Sequence, residues 1–141
     1  MARPAADRKH AMILIVEDDV VLGDVFARTL RGAGYEVWVA PSADQGIEKA
    51  KVVRPAAVVL DFRMPRIDGL GFLYRLRAAE ADCRTPVLVV TGNSPLADDV
   101  LAQFQELGAH VRYKPITPEQ LIDGVRLALG EPPTSSQRLV W

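Results

Sequence analysis

The chain has 141 residues, of which 49% are hydrophobic and 25% charged, with 17 basic and 18 acidic side chains and a net charge of −1. That length fits one domain, large enough to fold without a metal or a disulfide. The balanced charge gives no global pull toward nucleic acid or anionic membrane.

The lone Cys83 excludes an internal disulfide and suits a reducing compartment. No apolar run approaches the roughly 20 residues that cross a bilayer. Arg3, Arg8 and Lys9 precede the apolar Ala11–Val16 in the manner of a leader, but Glu17, Asp18 and Asp19 end that run, which a leader would not do. A cytoplasmic location without membrane association is expected.

Residues 1–11 are polar and aperiodic and read as a disordered N-terminal tail. Met12–Val16 is a short apolar run with the character of a buried strand. Leu22, Val25, Phe26, Thr29 and Leu30 then recur on one helical face, with Gly32 and Gly34 ending the helix. Glu36–Ala40 is a second strand. Ser42 and Gln45 form a capping box for a helix carrying Ile47, Ala50 and Val53, stopped by Pro55. Ala57–Leu60 is a third strand, and a loop with Pro65 leads to a helix from about Asp68 to Ala79.

Pro86–Thr91 is the fourth strand. Ser94-Pro95 has the pattern of an N-cap with proline at the first helical position, opening a helix whose Leu96, Val100, Leu101, Phe104 and Leu107 face inward. Gly108 ends it, and Ala109–Tyr113 is the fifth strand. Thr117, Pro118 and Gln120 cap a last helix carrying Leu121, Ile122, Val125 and Leu129. Residues 131–141 contain Pro132 and Pro133 and read as a tail or linker, so the folded domain is expected over 12–130.

Strands alternating with helices imply an α/β fold, a five-stranded parallel sheet with helices on both faces. Such sheets place ligands at the carboxyl ends of their strands. Those ends carry Glu17-Asp18-Asp19, Asp61, Thr91 and Lys114-Pro115. Taken singly, each has an ordinary reading: helix-start acids, a turn aspartate, a turn threonine, a surface lysine. On one rim they form a set. Converging carboxylates repel unless a cation joins them, and hard oxygen ligands select Mg²⁺, or Mn²⁺, over zinc. A carboxylate can attack phosphorus to give an aspartyl phosphate. Lysine and threonine then neutralise and hydrogen-bond the phosphoryl oxygens.

At this point the sequence resembles the response-regulator receiver family over about Met12 to Gly130. The segments that carry the resemblance are Ile13–Asp19, Val58–Gly69 (the pattern D-x-x-M-P-x-x-D-G), Val87–Gly92, and Gly108-Ala109 followed by Lys114-Pro115. The resemblance implies strand order 2-1-3-4-5 and a cis Lys114-Pro115 bond. It implies Asp61 as phosphoacceptor and Glu17, Asp18, Asp61 and the Arg63 backbone carbonyl around Mg²⁺. Thr91 is implied as the switch hydroxyl and Lys114 as the phosphoryl-pairing lysine, with Asp19 as a helix-start residue. It further implies a histidine kinase or histidine phosphotransfer protein as donor and an output protein as receiver of the signal. The family's output face would lie on the fourth helix, fifth strand and fifth helix, where Arg112, Tyr113 and Arg126 fall.

Three positions depart from the family. Gly92 replaces a common alanine, which leaves donor access open. Val111 stands where the switch aromatic usually lies, with Tyr113 on the same strand parity. Ile116 replaces an aromatic after Lys-Pro. Val111 keeps a receiver-like interaction module that no longer accepts phosphate as an alternative. A phosphatase is disfavoured because Arg63 stands where its second acid would be, leaving only slow self-hydrolysis of the phosphorylated chain. Direct nucleic-acid binding is not expected, because the segment after Gly130 is short. Homodimerisation on phosphorylation stays open.

Overall fold

A computed structural model describes residues 11–62, 68–79, 84–92 and 95–131. The strands are β1 (Met12–Val16), β2 (Glu36–Ala40), β3 (Ala57–Asp61), β4 (Val87–Thr91) and β5 (Ala109–Tyr113). The helices are α1 (Val20–Gly32), α2 (Ala43–Val53), α3 (Gly69–Ala79), α4 (Asp98–Glu106) and α5 (Pro118–Ala128). All four strand pairs are parallel, in the order β2-β1-β3-β4-β5. The fold is the expected one, and β1, β3 and β4, the most apolar strands in the sequence, are the three interior ones.

Strand alternation divides the core. Leu14, Val16, Val58, Leu60, Val87 and Val89 face α2, α3 and α4. Ile13, Ile15, Ala57, Val59, Leu88 and Val90 face α1 and α5. Both faces are covered, which is why these strands show no polar alternation.

Local chemistry sets the helix ends. Ser42 accepts from Gln45 N at 3.2 Å, and Thr117 with Gln120 forms a reciprocal capping box. Gly34, Gly108 and Gly130 take φ values of 100°, 77° and 75°, the left-handed region in which glycine closes a helix without strain. Arg54 takes that conformation at φ 46° just before Pro55. The expected cap at Ser94-Pro95 is not where the fourth helix starts: Ser94 lies outside the described residues, Pro95–Ala97 stay non-helical, and α4 begins at Asp98. Asp98 and Asp99 occupy its first turn, where acids meet the positive end of the helix dipole. Leu96 still packs against the core from the preceding loop.

Ala11 is buried, and its carbonyl accepts from Glu36 N at 3.1 Å, so packing begins one residue before β1. At the other end Glu131 is described, its N–H donating to the Arg126 carbonyl at 2.8 Å; residues 1–10 and 132–141, and Cys83, lie outside the described residues.

Candidate phosphoacceptor site

Register brings the acids together. Val16 pairs with Leu60, so one step beyond them Glu17 and Asp61 stand side by side at the ends of β1 and β3. Asp61 pairs with Val90, which puts Thr91 one step further along β4, and Thr91 pairs with Tyr113 of β5, directly before Lys114. Lys114 N donates to the Thr91 carbonyl at 2.6 Å, which holds the β4 and β5 ends in step.

The side chains meet. Oxygens of Glu17, Asp18 and Asp61 lie within 4.8 Å of one another. Lys114 Nζ sits 3.6 Å from Glu17 Oε1 and 3.7 Å from Asp61 Oδ1. Glu17, Asp61 and Thr91 are buried, while Asp18 is exposed at the mouth. Asp19 behaves as the helix-start residue the sequence indicated: its side chain accepts from Leu22 N at 3.1 Å.

Three carboxylates against one ammonium leave excess negative charge in a partly dry place. Burial, and then the charge of Asp61, push the Glu17 carboxyl up from 4.5 to about 7; the Asp19 amide and Lys114 pull the other way. The all-oxygen donor set and its charge surplus fit a hard divalent cation such as Mg²⁺.

Sequence reasoning missed how the Asp68-Gly69 pair shapes the site. Asp68 caps α3, accepting from Gly71 N at 2.9 Å, and Gly69 N donates to the Phe62 carbonyl at 2.6 Å. A Cβ on Gly69 would stand 2.8 Å from Phe62 Cα and 3.0 Å from the Asp61 carbonyl oxygen. Only glycine lets the start of α3 approach the backbone of the phosphoacceptor candidate this closely. The available signal was an N-cap aspartate followed by glycine. Phe62 packs edge-to-face on the fully buried Phe104 of α4, with centroids 5.8 Å apart, which anchors the residue after Asp61.

Other sequence candidates fall as follows. Among the described residues a Cβ on Gly92 would meet nothing within 4 Å. Val111 packs against the core, and Tyr113 is an exposed edge tyrosine whose hydroxyl accepts from Leu96 N at 3.4 Å. Lys114-Pro115 is cis. Arg63 lies outside the described residues. Among the described residues no helix is long and apolar enough to cross a membrane.

Residues 13–126 match the response regulator receiver domain. The chain is 30% identical over 123 residues to the DNA-binding response regulator MtrA of Mycolicibacterium smegmatis, a match covering 87% of this chain and 52% of that protein. It is 31% identical over 117 residues to the DNA-binding dual master transcriptional regulator RpaA of Synechocystis, covering 83% of this chain and 48% of that one. The structure of chemotaxis protein CheY4 from Vibrio cholerae superposes with a TM-score of 0.78 at 26% identity, covering 85% of this chain and 99% of the other. This chain spans about half the length of the curated relatives it matches. These relatives correct the expectation that direct nucleic-acid binding is excluded. They are DNA-binding regulators matched over their receiver portion alone, so a short segment after Gly130 excludes nothing.

Proposed function

This chain belongs to the response regulator receiver domain family, and from that premise we propose that it accepts a phosphoryl group on Asp61 and changes conformation in response. Lys114 supports the reading most directly, because its ammonium touches Glu17 and Asp61 together. A cation poised over a nucleophilic carboxylate and its acidic neighbour suits a reaction that gathers negative charge on phosphoryl oxygens.

The phosphorus comes from a phosphohistidine on a histidine kinase or a histidine phosphotransfer protein. An Asp61 carboxylate oxygen forms the new P–O bond, the P–N bond to histidine breaks, and the leaving imidazole takes up a proton. Glu17, Asp18, Asp61 and the Arg63 backbone carbonyl would hold Mg²⁺ (or Mn²⁺), which supplies charge neutralisation at the phosphoryl oxygens. Lys114 pairs with one such oxygen. The buried Thr91 hydroxyl donates to another, and that new bond shifts an existing equilibrium between two conformations. Val111 and Tyr113 lie on the strand that receives this shift. The phosphorylated chain catalyses its own slow hydrolysis and turns over no external substrate.

Residues 12–130 form the signalling unit, with 131–141 as tail or linker. The DNA-binding relatives support an output at DNA, in this polypeptide or through a partner, and with it a cytoplasmic site of action. Acetyl phosphate with Mg²⁺ tests the chemistry. By intact mass the wild type gains one phosphoryl group and Asp61→Ala gains none; equal labelling of the two would remove Asp61 from the role.

A further inference from the structure

β2 is an edge strand: it pairs with β1 on one side, and among the described residues no strand pairs on the other. Its bonds toward β1 decide which of its backbone groups look outward. Glu36 N donates to the Ala11 carbonyl at 3.1 Å, and the Ala40 carbonyl accepts from Glu17 N at 3.0 Å. Backbone direction alternates along a strand, so Glu36, Trp38 and Ala40 turn their polar groups to β1. Val37 and Val39 turn theirs away from the sheet.

An edge of this kind can template a strand from another chain. Here it suits a second copy of itself. In an antiparallel pair with Trp38 opposite Trp38, Val37 of each copy would stand opposite Val39 of the other, and each such pair would exchange both backbone bonds. Trp38 and Val39 are exposed, so the seam would also cover apolar surface. One side chain opposes this pairing. Arg31, in the last turn of α1, reaches the edge and donates from its guanidinium to the Val37 carbonyl at 3.1 Å. That carbonyl is one of the outward ones. Arg31 itself is exposed to solvent.

We propose that Arg31 is an edge guard. By occupying the Val37 carbonyl and holding a fixed charge at the seam, it keeps a second copy from adding its β2 to this one. An incoming strand meets a carbonyl already taken on both copies, and it brings the two guanidinium groups to one seam. A tie between α1 and β2 with no guarding role predicts lower stability on removing Arg31 and no new association. None of this depends on phosphorylation of Asp61.

The test uses the full chain in EDTA, by size-exclusion chromatography with light scattering over a range of concentrations. Arg31→Met keeps an unbranched stem and removes the donor and the charge; its assembly mass should reach about twice the parent's at the same concentration. Arg31→Gln carries the same comparison if Arg31→Met does not fold. Arg28→Met removes an exposed charge of the same helix from its pair with Asp24, and should match the parent. Adding Val39→Pro to Arg31→Met should return the parent's mass, because proline removes an outward N–H and leaves the β1 ladder intact. Lost stability alone would not be reversed in this way. In the parent the Val39 amide should exchange with deuterium several-fold faster than those of Trp38 and Ala40. Equal masses for the Arg31 variants and the parent overturn the proposal. So does association that survives Val39→Pro, because another surface then holds the copies, and so does a Val39 amide as slow as its neighbours in the parent.

Discussion

Replacing Glu17 by glutamine should stabilise the metal-free protein, and only above a definite pH. The Glu17 carboxyl is held up to about 7 in the folded chain against 4.5 in its ordinary state, by burial first and by Asp61 second. The folded state therefore keeps a proton that the unfolded chain releases between those two values. Stability falls as pH rises through that window, and the penalty is complete above about 7. At 1.36 kcal/mol per unit the difference corresponds to about 3 kcal/mol. A glutamine side chain in its place would carry no charge and could still accept from Asp19 N, as Glu17 Oε2 does at 3.2 Å.

Urea denaturation with EDTA reads this directly. At about pH 8 Glu17→Gln should exceed wild type by up to about 3 kcal/mol, and at about pH 4, where the wild-type carboxyl is protonated in both states, the two should converge. Mg²⁺ supplies the control. It should stabilise the wild type more at the higher pH, where Glu17 is ionised, and the variant much less. Parallel pH profiles for the two proteins would show that Glu17 is not the buried, charge-crowded group described here.

Glycine positions give opposite outcomes for one substitution. A Cβ on Gly46 would lie 2.8 Å from Val16 Cγ2 and 3.0 Å from Phe72 Cε1, both in the closed core, so Gly46→Ala should destabilise, the overpacking cost of about 1–3 kcal/mol outweighing the gain in helix propensity. A Cβ on Gly32 would meet nothing within 4 Å among the described residues, so Gly32→Ala should stabilise by about 0.4–1 kcal/mol; thermal melts that move both variants the same way would contradict this packing. Phe104→Ala removes a fully buried ring and the partner of Phe62, and should cost about 3–5 kcal/mol in urea denaturation. Thr117→Ala breaks the α5 capping box and should cost about 1 kcal/mol, visible as a lower midpoint at unchanged m-value.

The fold was legible because its signals are local and repeated. Alternating apolar runs and caps such as Ser42 and Thr117 mark element ends within a few residues, and unbroken apolar strands betray a two-sided core. The strand order was not legible from pattern: nothing local in Ile13–Val16 says that β2 and β3 flank it, and that knowledge came through the family motifs. The start of α4 was misread for a related reason. Ser94-Pro95 and Asp98-Asp99 are both helix-start signals, and packing of Leu96 from a loop, a tertiary fact, selected the second. Asp61, Thr91 and Lys114 were legible as strand-end polar residues. The meeting of Lys114 with Glu17 and Asp61, and the backbone clearance that demands Gly69, are distances between remote segments that no spacing encodes.

The same geometry ties stability to function at this site. Glu17 is costly where it stands, because a buried carboxylate beside Asp61 and Asp18 lacks enough positive charge. Lys114 offsets part of that cost from 3.6 Å. A second cation or a rearranged Lys114 can relieve the rest, so ligand binding at this rim and the conformation of the β5 end are thermodynamically linked. A carboxylate cluster fully neutralised within the protein would be more stable, and would have no free energy left with which to respond to an incoming ion.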